Sequence, residues 1–157
     1  MHTPRTQLSI RTCTFIGSFA TFLGPGLFDS FAENTLNHLI KLCGTTKKII
    51  ANAAADVAKS IASLIVPHRA FPILLNGAID KNVNCRLRSF ECLKIISERI
   101  YEDTSVSSAN SIYQKIWENA VEKVLPKGIG DANSEIRGVA LNIFLIFKER
   151  TPELSSK

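Results

Sequence analysis

Apolar residues recur at intervals of three and four along most of the chain, which is the spacing of one buried helix face. No convincing run alternates apolar and polar residues as a half-buried strand would. The pattern therefore predicts an all-α protein of about seven helices. The predicted helices run from Pro4 to Leu23, Leu27 to Leu42, Lys47 to Val66, Phe71 to Ile79, Asn82 to Ile100, Ala109 to Leu125 and Asn133 to Arg150, and Pro152 begins a truncated eighth.

Helix breakers and capping residues separate these segments. The connections are about three to nine residues long, which favours antiparallel hairpins over long crossovers. Sequential helices are therefore expected to pack on each other. The breaks lie at Gly24–Gly26, Gly44–Thr46, Pro67–His68, Asp80–Asn82, Thr104–Ser108 and Pro126–Asn133.

One segment is repeated fifty-one residues further along the chain, because Asp80 aligns with Asp131 and Arg86 aligns with Arg137. Self-similarity at this spacing in a helical chain predicts an α-solenoid. An Asp in the turn followed six residues later by an Arg resembles the HEAT repeat, and this resemblance implies a structural polar ladder at the four positions. The apolar residues Phe90, Cys92, Leu93, Ile95 and Ile96 fall on Leu141, Ile143, Phe144, Ile146 and Phe147.

Length and charge narrow the class of protein. The 157 residues suit one domain over 1–157, and 19 Lys and Arg against 14 Asp and Glu give a net charge of +5. This balance favours acidic partners. Nucleic acid is not expected, since Lys47–Lys48 is the only adjacent Lys/Arg pair and no aromatic-interleaved patch occurs. A membrane is not expected either, because the uncharged stretch Thr12 to Leu27 is shorter than the roughly 20 residues that cross a bilayer.

Residues that carry chemistry are sparse. No CxxC, HxxxH or HExxH spacing occurs, so we expect no metal, and the cysteines are predicted to be buried thiols in a reducing cytosolic or nuclear compartment. Gly128–Gly130 lacks the third glycine of a dinucleotide site and no P-loop is present, so no cofactor is expected. No catalytic constellation stands out, and the chain is predicted not to be an enzyme. The cysteines and histidines whose spacing was considered are Cys13, Cys43, Cys85, Cys92, His2, His38 and His68.

Four segments in order resemble a TOG domain of the CLASP family of microtubule-associated proteins. They are LFDSFAENTLNHLIKLC from Leu27, KKIIANAAADVAKSIASLI from Lys47, DKNVNCRLRSFECL from Asp80 and KGIGDANSEIRG from Lys127. The resemblance covers nearly the whole chain but departs at its start. The family's domain begins with a hairpin that carries a tryptophan, and Trp117, the only tryptophan here, is in the middle of a predicted helix. The resemblance therefore implies a partial domain, with self-association through the exposed N-terminal hairpin as one consequence.

The resemblance also implies a binding site, because the turns inside each TOG hairpin form an edge that contacts tubulin. It implies αβ-tubulin or microtubules as partners, with a cytoplasmic, cytoskeletal and spindle location. The matching turns are Leu23–Phe28, Val66–Phe71, Arg99–Asn110 and Lys148–Leu154. Their cationic side chains, which suit an acidic partner, are His68, Arg69, Arg99, Lys148 and Arg150.

Alternatives remain for these residues. Arg99, Lys148 and Arg150 end predicted helices, where cations commonly offset the helix dipole. Arg69 follows Pro67 in a predicted tight turn and is expected to point outward. The Ser-rich acidic turn at 104–108 is a candidate phosphorylation site whose phosphate would weaken docking. The alternative function is a generic HEAT adaptor that binds a peptide or protein on its concave face.

Overall fold

The computed structural model describes residues 3–24, 26–102 and 122–150. Within these ranges all regular structure is helical, which confirms the predicted all-α class. None of the helices in the described ranges is long and apolar enough to cross a bilayer. Most of the predicted helix Ala109 to Leu125, and the eighth helix at Pro152, lie outside the described residues. The helices are α1 (Pro4–Leu23), α2 (Asp29–Cys43), α3 (Lys48–Ala62), α4 (Pro67–Ala78), α5 (Val83–Glu102), α6 (described over 122–129) and α7 (Ser134–Arg150).

The helices form two layers. In one layer α1 packs on α3, α3 on α5 and α5 on α7, and in the other α2 packs on α4. The layers are joined because α2 packs on α3 and α4 packs on α5. Helices stacked in two layers in this way form a solenoid of helical hairpins, which confirms the predicted fold class. The expectation that sequential helices pack on each other holds for α2 with α3 and for α4 with α5. It is wrong for α1 with α2 and for α3 with α4, which make little direct contact.

The bounds of α1 follow from local signals. Thr3 is the N-cap and accepts a hydrogen bond from the Thr6 amide at 3.4 Å, while Pro4 occupies the first helical turn. The helix ends at Gly24, whose φ of 69° lies in the left-handed region that favours glycine. Both ends match the prediction.

Two proline positions correct the prediction. Pro67 begins α4 rather than preceding it, so α3 ends at Ala62 instead of Val66, and α4 begins four residues before Phe71. A proline suits the first helical turn because its missing N–H would have no partner there. The segment after Leu125 is also helical, since α6 continues through Pro126 to residue 129. The Pro126 carbonyl accepts a hydrogen bond from the Gly130 amide at 3.1 Å, which closes the last turn.

Two glycines allow close packing between helices. A Cβ at Gly77 would lie 2.1 Å from the Ser89 hydroxyl, and one at Gly128 would lie 2.4 Å from the Phe90 ring. Ser89 and Phe90 are both buried on α5. The absence of a side chain at these two positions therefore sets how closely α4 and α6 approach α5.

Candidate protein-binding edges

The turns between helices form two opposite edges of the solenoid. The α1–α2 edge comprises the turns after α1 and α3 and the C-terminal ends of α5 and α7. The α2–α3 edge comprises the turns after α2, α4 and α6 and the N-terminal end of α1. The candidate tubulin-binding residues were predicted on the α1–α2 edge.

Arg69 lies in the first turn of α4 and not in the predicted turn between helices. Its guanidinium donates to the Glu33 carboxylate on α2 at 3.1 Å, and both side chains are about half exposed. An exposed pair of this kind contributes about 0–1 kcal/mol to stability. Arg69 is therefore at the surface of the edge as predicted, with a carboxylate partner that the sequence analysis missed.

Arg99 supports the end of α3. Its guanidinium donates to the carbonyls of Ala62 and Ile65, both at 2.8 Å. Ala62 is the last residue of α3, whose final carbonyls lack partners within the helix, and Ile65 lies in the turn that follows. The Arg99 side chain therefore holds the end of α3 and the turn after it from across the stack. The structure gives Arg99 a bracing role that neither the predicted tubulin contact nor the helix-dipole alternative described.

The remaining candidates are described to different extents. His68 is exposed in the first turn of α4, and Lys148 is exposed near the end of α7. The side chain of Arg150 and the Ser-rich turn at 104–108 lie outside the described residues. The structure therefore places His68, Arg69 and Lys148 at the surface, on one edge.

The α1–α2 edge carries carboxylates beside its cations. Arg69 pairs with Glu33 at 3.1 Å, Lys94 pairs with Glu98 at 3.5 Å near the C-terminal end of α5, and Asp56 and Glu149 are exposed nearby. The described part of this edge is consequently close to electrically balanced, which the sequence analysis did not foresee. An acidic partner would compete with Glu33 for Arg69.

The α2–α3 edge contains the polar ladder. Arg86 donates to both Asp131 carboxylate oxygens, at 2.7 and 3.2 Å, and to the carbonyls of Asp80 and Lys81 at 3.1 Å. Arg137 repeats the pattern with the Asp131 and Ala132 carbonyls at 2.9 Å. The Arg86 guanidinium lowers the pKa of the Asp131 carboxyl. These contacts confirm the predicted structural ladder.

The same ladder caps two helices. The Asp80 carboxylate accepts from the Asn82 amide at 2.7 Å, and Asn82 in turn accepts from the amide of residue 84 at 2.9 Å. Asp131 and Asn133 repeat both contacts at the start of α7, at 2.9 and 2.8 Å. An Asp-x-Asn sequence therefore shapes each turn, which explains the repeat of Asp80 at Asp131.

The four cysteines are buried free thiols. Burial raises the pKa of Cys43 to about 12, and it also raises the pKa of Cys13, Cys85 and Cys92. Thiols with raised pKa values are protonated at neutral pH and are poor nucleophiles. Among the described residues no group of three or more His, Cys, Asp and Glu side chains is placed to hold a metal ion. The prediction of buried thiols is confirmed.

The first hairpin exposes an extensive apolar surface. A groove of about 470 Å³ between α1 and α2 is lined by residues that include Leu8, Cys13, Ile16 and Leu39. Large apolar side chains continue beyond it, and Phe22 is the most exposed of them at 86 %. Soluble monomers rarely expose contiguous apolar patches of this kind without a partner. The exposed apolar residues on this hairpin are Leu8, Phe15, Phe19, Phe22, Leu27 and Phe31.

The fold and its edges define an α-solenoid that presents surfaces for protein contact. The family described as CLASP N terminal matches residues 1–157, and the chain belongs to this family. CLASP proteins are microtubule-associated regulators rather than known enzymes.

Curated relatives agree with this family. The chain is 30% identical over 135 residues to "Protein stu-1" of Neurospora crassa, which covers 85% of this chain and 11% of the relative. It is 31% identical over 150 residues to "Protein STU1" of Debaryomyces hansenii, covering 94% of this chain and 10% of the relative. It is 27% identical over 154 residues to "Protein peg1" of Schizosaccharomyces pombe, covering 98% and 10%. The chain thus spans about a tenth of the length of these relatives.

Proposed function

We propose that this chain is a TOG-like domain that binds αβ-tubulin through the α1–α2 edge and so regulates cytoplasmic and spindle microtubules. The main support for this proposal is the match to the CLASP N-terminal family over residues 1–157. The exposed positions of His68, Arg69 and Lys148 on one edge support it, because a protein with an acidic surface would approach these side chains first. The proposed action is binding without chemistry.

Arg69 is the central contact of this proposal. Its partner Glu33 is about half exposed, so a tubulin carboxylate can replace Glu33 without leaving a buried charge unpaired. The exchange of one exposed carboxylate for another costs little. Binding regulates polymerisation only if the edge has different affinities for two tubulin conformations, because a ligand shifts an equilibrium through that difference.

Interferometry on immobilised unpolymerised αβ-tubulin tests this contact. Arg69→Glu is expected to weaken binding at least about tenfold, since it replaces an attraction by a repulsion beside Glu33. Glu33→Gln is the matched control, because it removes the competing carboxylate and is expected to preserve or strengthen binding. If Arg69→Glu binds tubulin as well as the parent chain, the edge assignment is wrong, and a concave-face adaptor becomes the better description.

The apolar face of α1 supports a second contact, self-association of two copies. Leu8, Phe15 and Phe22 are spaced by seven residues, so they lie in one line along the helix, and they are 67, 67 and 86 % exposed. Two α1 helices packed antiparallel about a two-fold axis at Phe15 would place each Leu8 on the partner's Phe22. A symmetric spacing of this kind suits an interface in which both copies use the same patch.

Light scattering after size exclusion tests the two-fold contact. The chain is expected to be dimeric at tens of micromolar, and Phe22→Asp is expected to make it monomeric without lowering its helix content. Asn52→Asp, an exposed change on α3, is the matched control and should stay dimeric. A monomeric parent chain would refute the contact and would indicate that a different polypeptide segment covers this face.

A further inference from the structure

The layer that contains α1 and α3 has a groove on its outer face. The groove has a volume of about 660 Å³, and its described lining residues all belong to these two helices, so it opens away from α2 and α4. Its floor consists of small side chains, and a Cβ at Gly17 would lie only 3.3 Å from the Val57 side chain. The two helix backbones therefore approach closely, and the outward side chains of α1 and α3 form the two walls.

The walls of this groove present hydrogen-bond acceptors. The hydroxyl groups of Thr14, Thr21 and Ser60 donate to backbone carbonyls of their own helices, at 3.1, 3.0 and 3.1 Å. Because a hydroxyl has one proton, each of these oxygens can now only accept from a ligand. The Asp56 carboxylate is exposed, and it has no hydrogen-bond or ion-pair partner among the described residues. A ligand that fits these walls must donate hydrogen bonds.

The groove is locally negative, although the whole chain carries a net charge of +5. Asp56 is the charged residue among its described lining residues, and none of them is a lysine or arginine. The nearest lysine along α3 is Lys59, whose ammonium pairs with Glu91 on α5 at 2.9 Å and is not shared with Asp56. A cationic group would therefore be attracted by this groove and repelled by the protein as a whole.

We propose that the groove between α1 and α3 binds an arginine side chain, which a short extended segment of a partner protein presents. A guanidinium has five N–H donors and no acceptor, which matches walls that accept. Its planar face also stacks on aromatic rings, and Phe22, which is 86 % exposed, lines one end of the groove. The groove runs roughly 12 Å along α1 from Thr14 to Phe22, a length that about four extended residues cover.

Arginine suits this groove better than lysine does. A lysine ammonium has three donors, holds its water more strongly and lacks a planar face to lie on Phe22. A guanidinium can pair with both oxygens of Asp56 while its face contacts the ring. The site therefore recognises a particular side chain as well as a positive charge.

The site is separate from the proposed tubulin contact, because Arg69 lies on α4 in the other layer. Phe22 is shared with the proposed contact between two copies, so a second copy and the arginine segment would compete for it. Peptide binding is therefore measured with the chain at nanomolar concentration, where two copies do not associate. Failure of either earlier proposal then leaves this test unchanged.

Microscale thermophoresis of the dye-labelled chain, with a blocked pentapeptide of one arginine between two pairs of glycines, tests the site. The parent chain is expected to bind with a Kd below the millimolar range. Asp56→Lys is expected to weaken binding at least about tenfold, because it replaces an attraction by a repulsion. The matched control Glu149→Lys changes the net charge equally on α7, and it is expected to change binding less than about threefold near physiological salt, which screens charges beyond about 8 Å.

Each outcome decides the proposal. Loss confined to Asp56→Lys, an intermediate loss with Asp56→Asn and weaker binding of the matching lysine peptide support the site. Equal losses in Asp56→Lys and Glu149→Lys would show an effect of net charge alone and overturn it. Equal binding of the lysine peptide, or of a neutral citrulline peptide, would overturn the recognition of arginine. No binding of the arginine peptide by the parent chain at millimolar concentration would also overturn the proposal. Unchanged circular dichroism melting verifies that each variant is folded.

Discussion

Gly128→Ala is expected to destabilise the protein although alanine is the better helix former. The added Cβ would lie 2.4 and 2.5 Å from two Phe90 ring carbons and 2.8 Å from the Ala140 Cβ. Carbon atoms prefer separations of about 3.5–4.0 Å, so α6 or the ring must shift by about 1 Å. Phe90 and Ala140 are 1 and 0 % exposed, and the surrounding core leaves little space for that shift.

The magnitude follows from two opposing terms. Overpacking a core costs about 1–3 kcal/mol, and the short contacts place this site near the upper limit. The higher helix propensity of alanine stabilises the folded protein by at most about 1 kcal/mol. The net destabilisation is therefore about 2 kcal/mol, which lowers Tm by roughly 4–8 °C in a chain of this size.

Gly138→Ala is the matched control. Gly138 is exposed inside α7, and a Cβ there would meet no atom within 4 Å. This variant is expected to gain up to about 1 kcal/mol, because alanine loses less backbone entropy than glycine in a helix. Urea unfolding followed by circular dichroism measures both changes. Equal stabilisation by the two substitutions would refute the packing role of Gly128.

Three further predictions concern hydrogen bonds. Asp131→Asn should cost about 1–2 kcal/mol at pH 7. Because Arg86 lowers the pKa of folded Asp131, this stabilisation is present above the unfolded pKa of about 3.9 and is lost as pH falls through the folded value. The free energies of unfolding of parent and variant in urea should therefore converge in acid, and a gap that acid leaves unchanged would contradict this. Arg99→Ala should cost about 1–3 kcal/mol because the Ala62 and Ile65 carbonyls lose this donor, and Arg99→Lys should restore little of the loss. A thermal melt unchanged from the parent would exclude the bracing role. Ser89→Ala should be neutral or stabilising by up to about 1 kcal/mol, since the buried hydroxyl has no hydrogen-bond partner among the described residues, and a clear loss in urea unfolding would reveal one.

The helices were predictable where local residues determine their ends. Thr3, Pro4 and Gly24 set the bounds of α1 through contacts within a few residues. Pro67 was ambiguous, because a proline follows one helix as readily as it begins another, and the choice of α4 depends on packing. The repeat at Asp80 and Asp131 was visible because each Asp-x-Asn turn is also a local structure.

The site was predictable only as a set of charged residues near helix ends. Arg99 reaches carbonyls 34 and 37 positions earlier in the chain, and Arg69 reaches Glu33 36 positions earlier. Such pairings depend on the register between neighbouring helices, which no local pattern gives. For the same reason the sequence did not reveal that carboxylates lie beside the cations of the α1–α2 edge.

The central claim is that this chain binds αβ-tubulin, and size exclusion with light scattering on an equimolar mixture at tens of micromolar tests it most directly. The account predicts a complex that contains both proteins in equal numbers and that is lost with Arg69→Glu. Separate elution of the folded chain and of tubulin at these concentrations would contradict it.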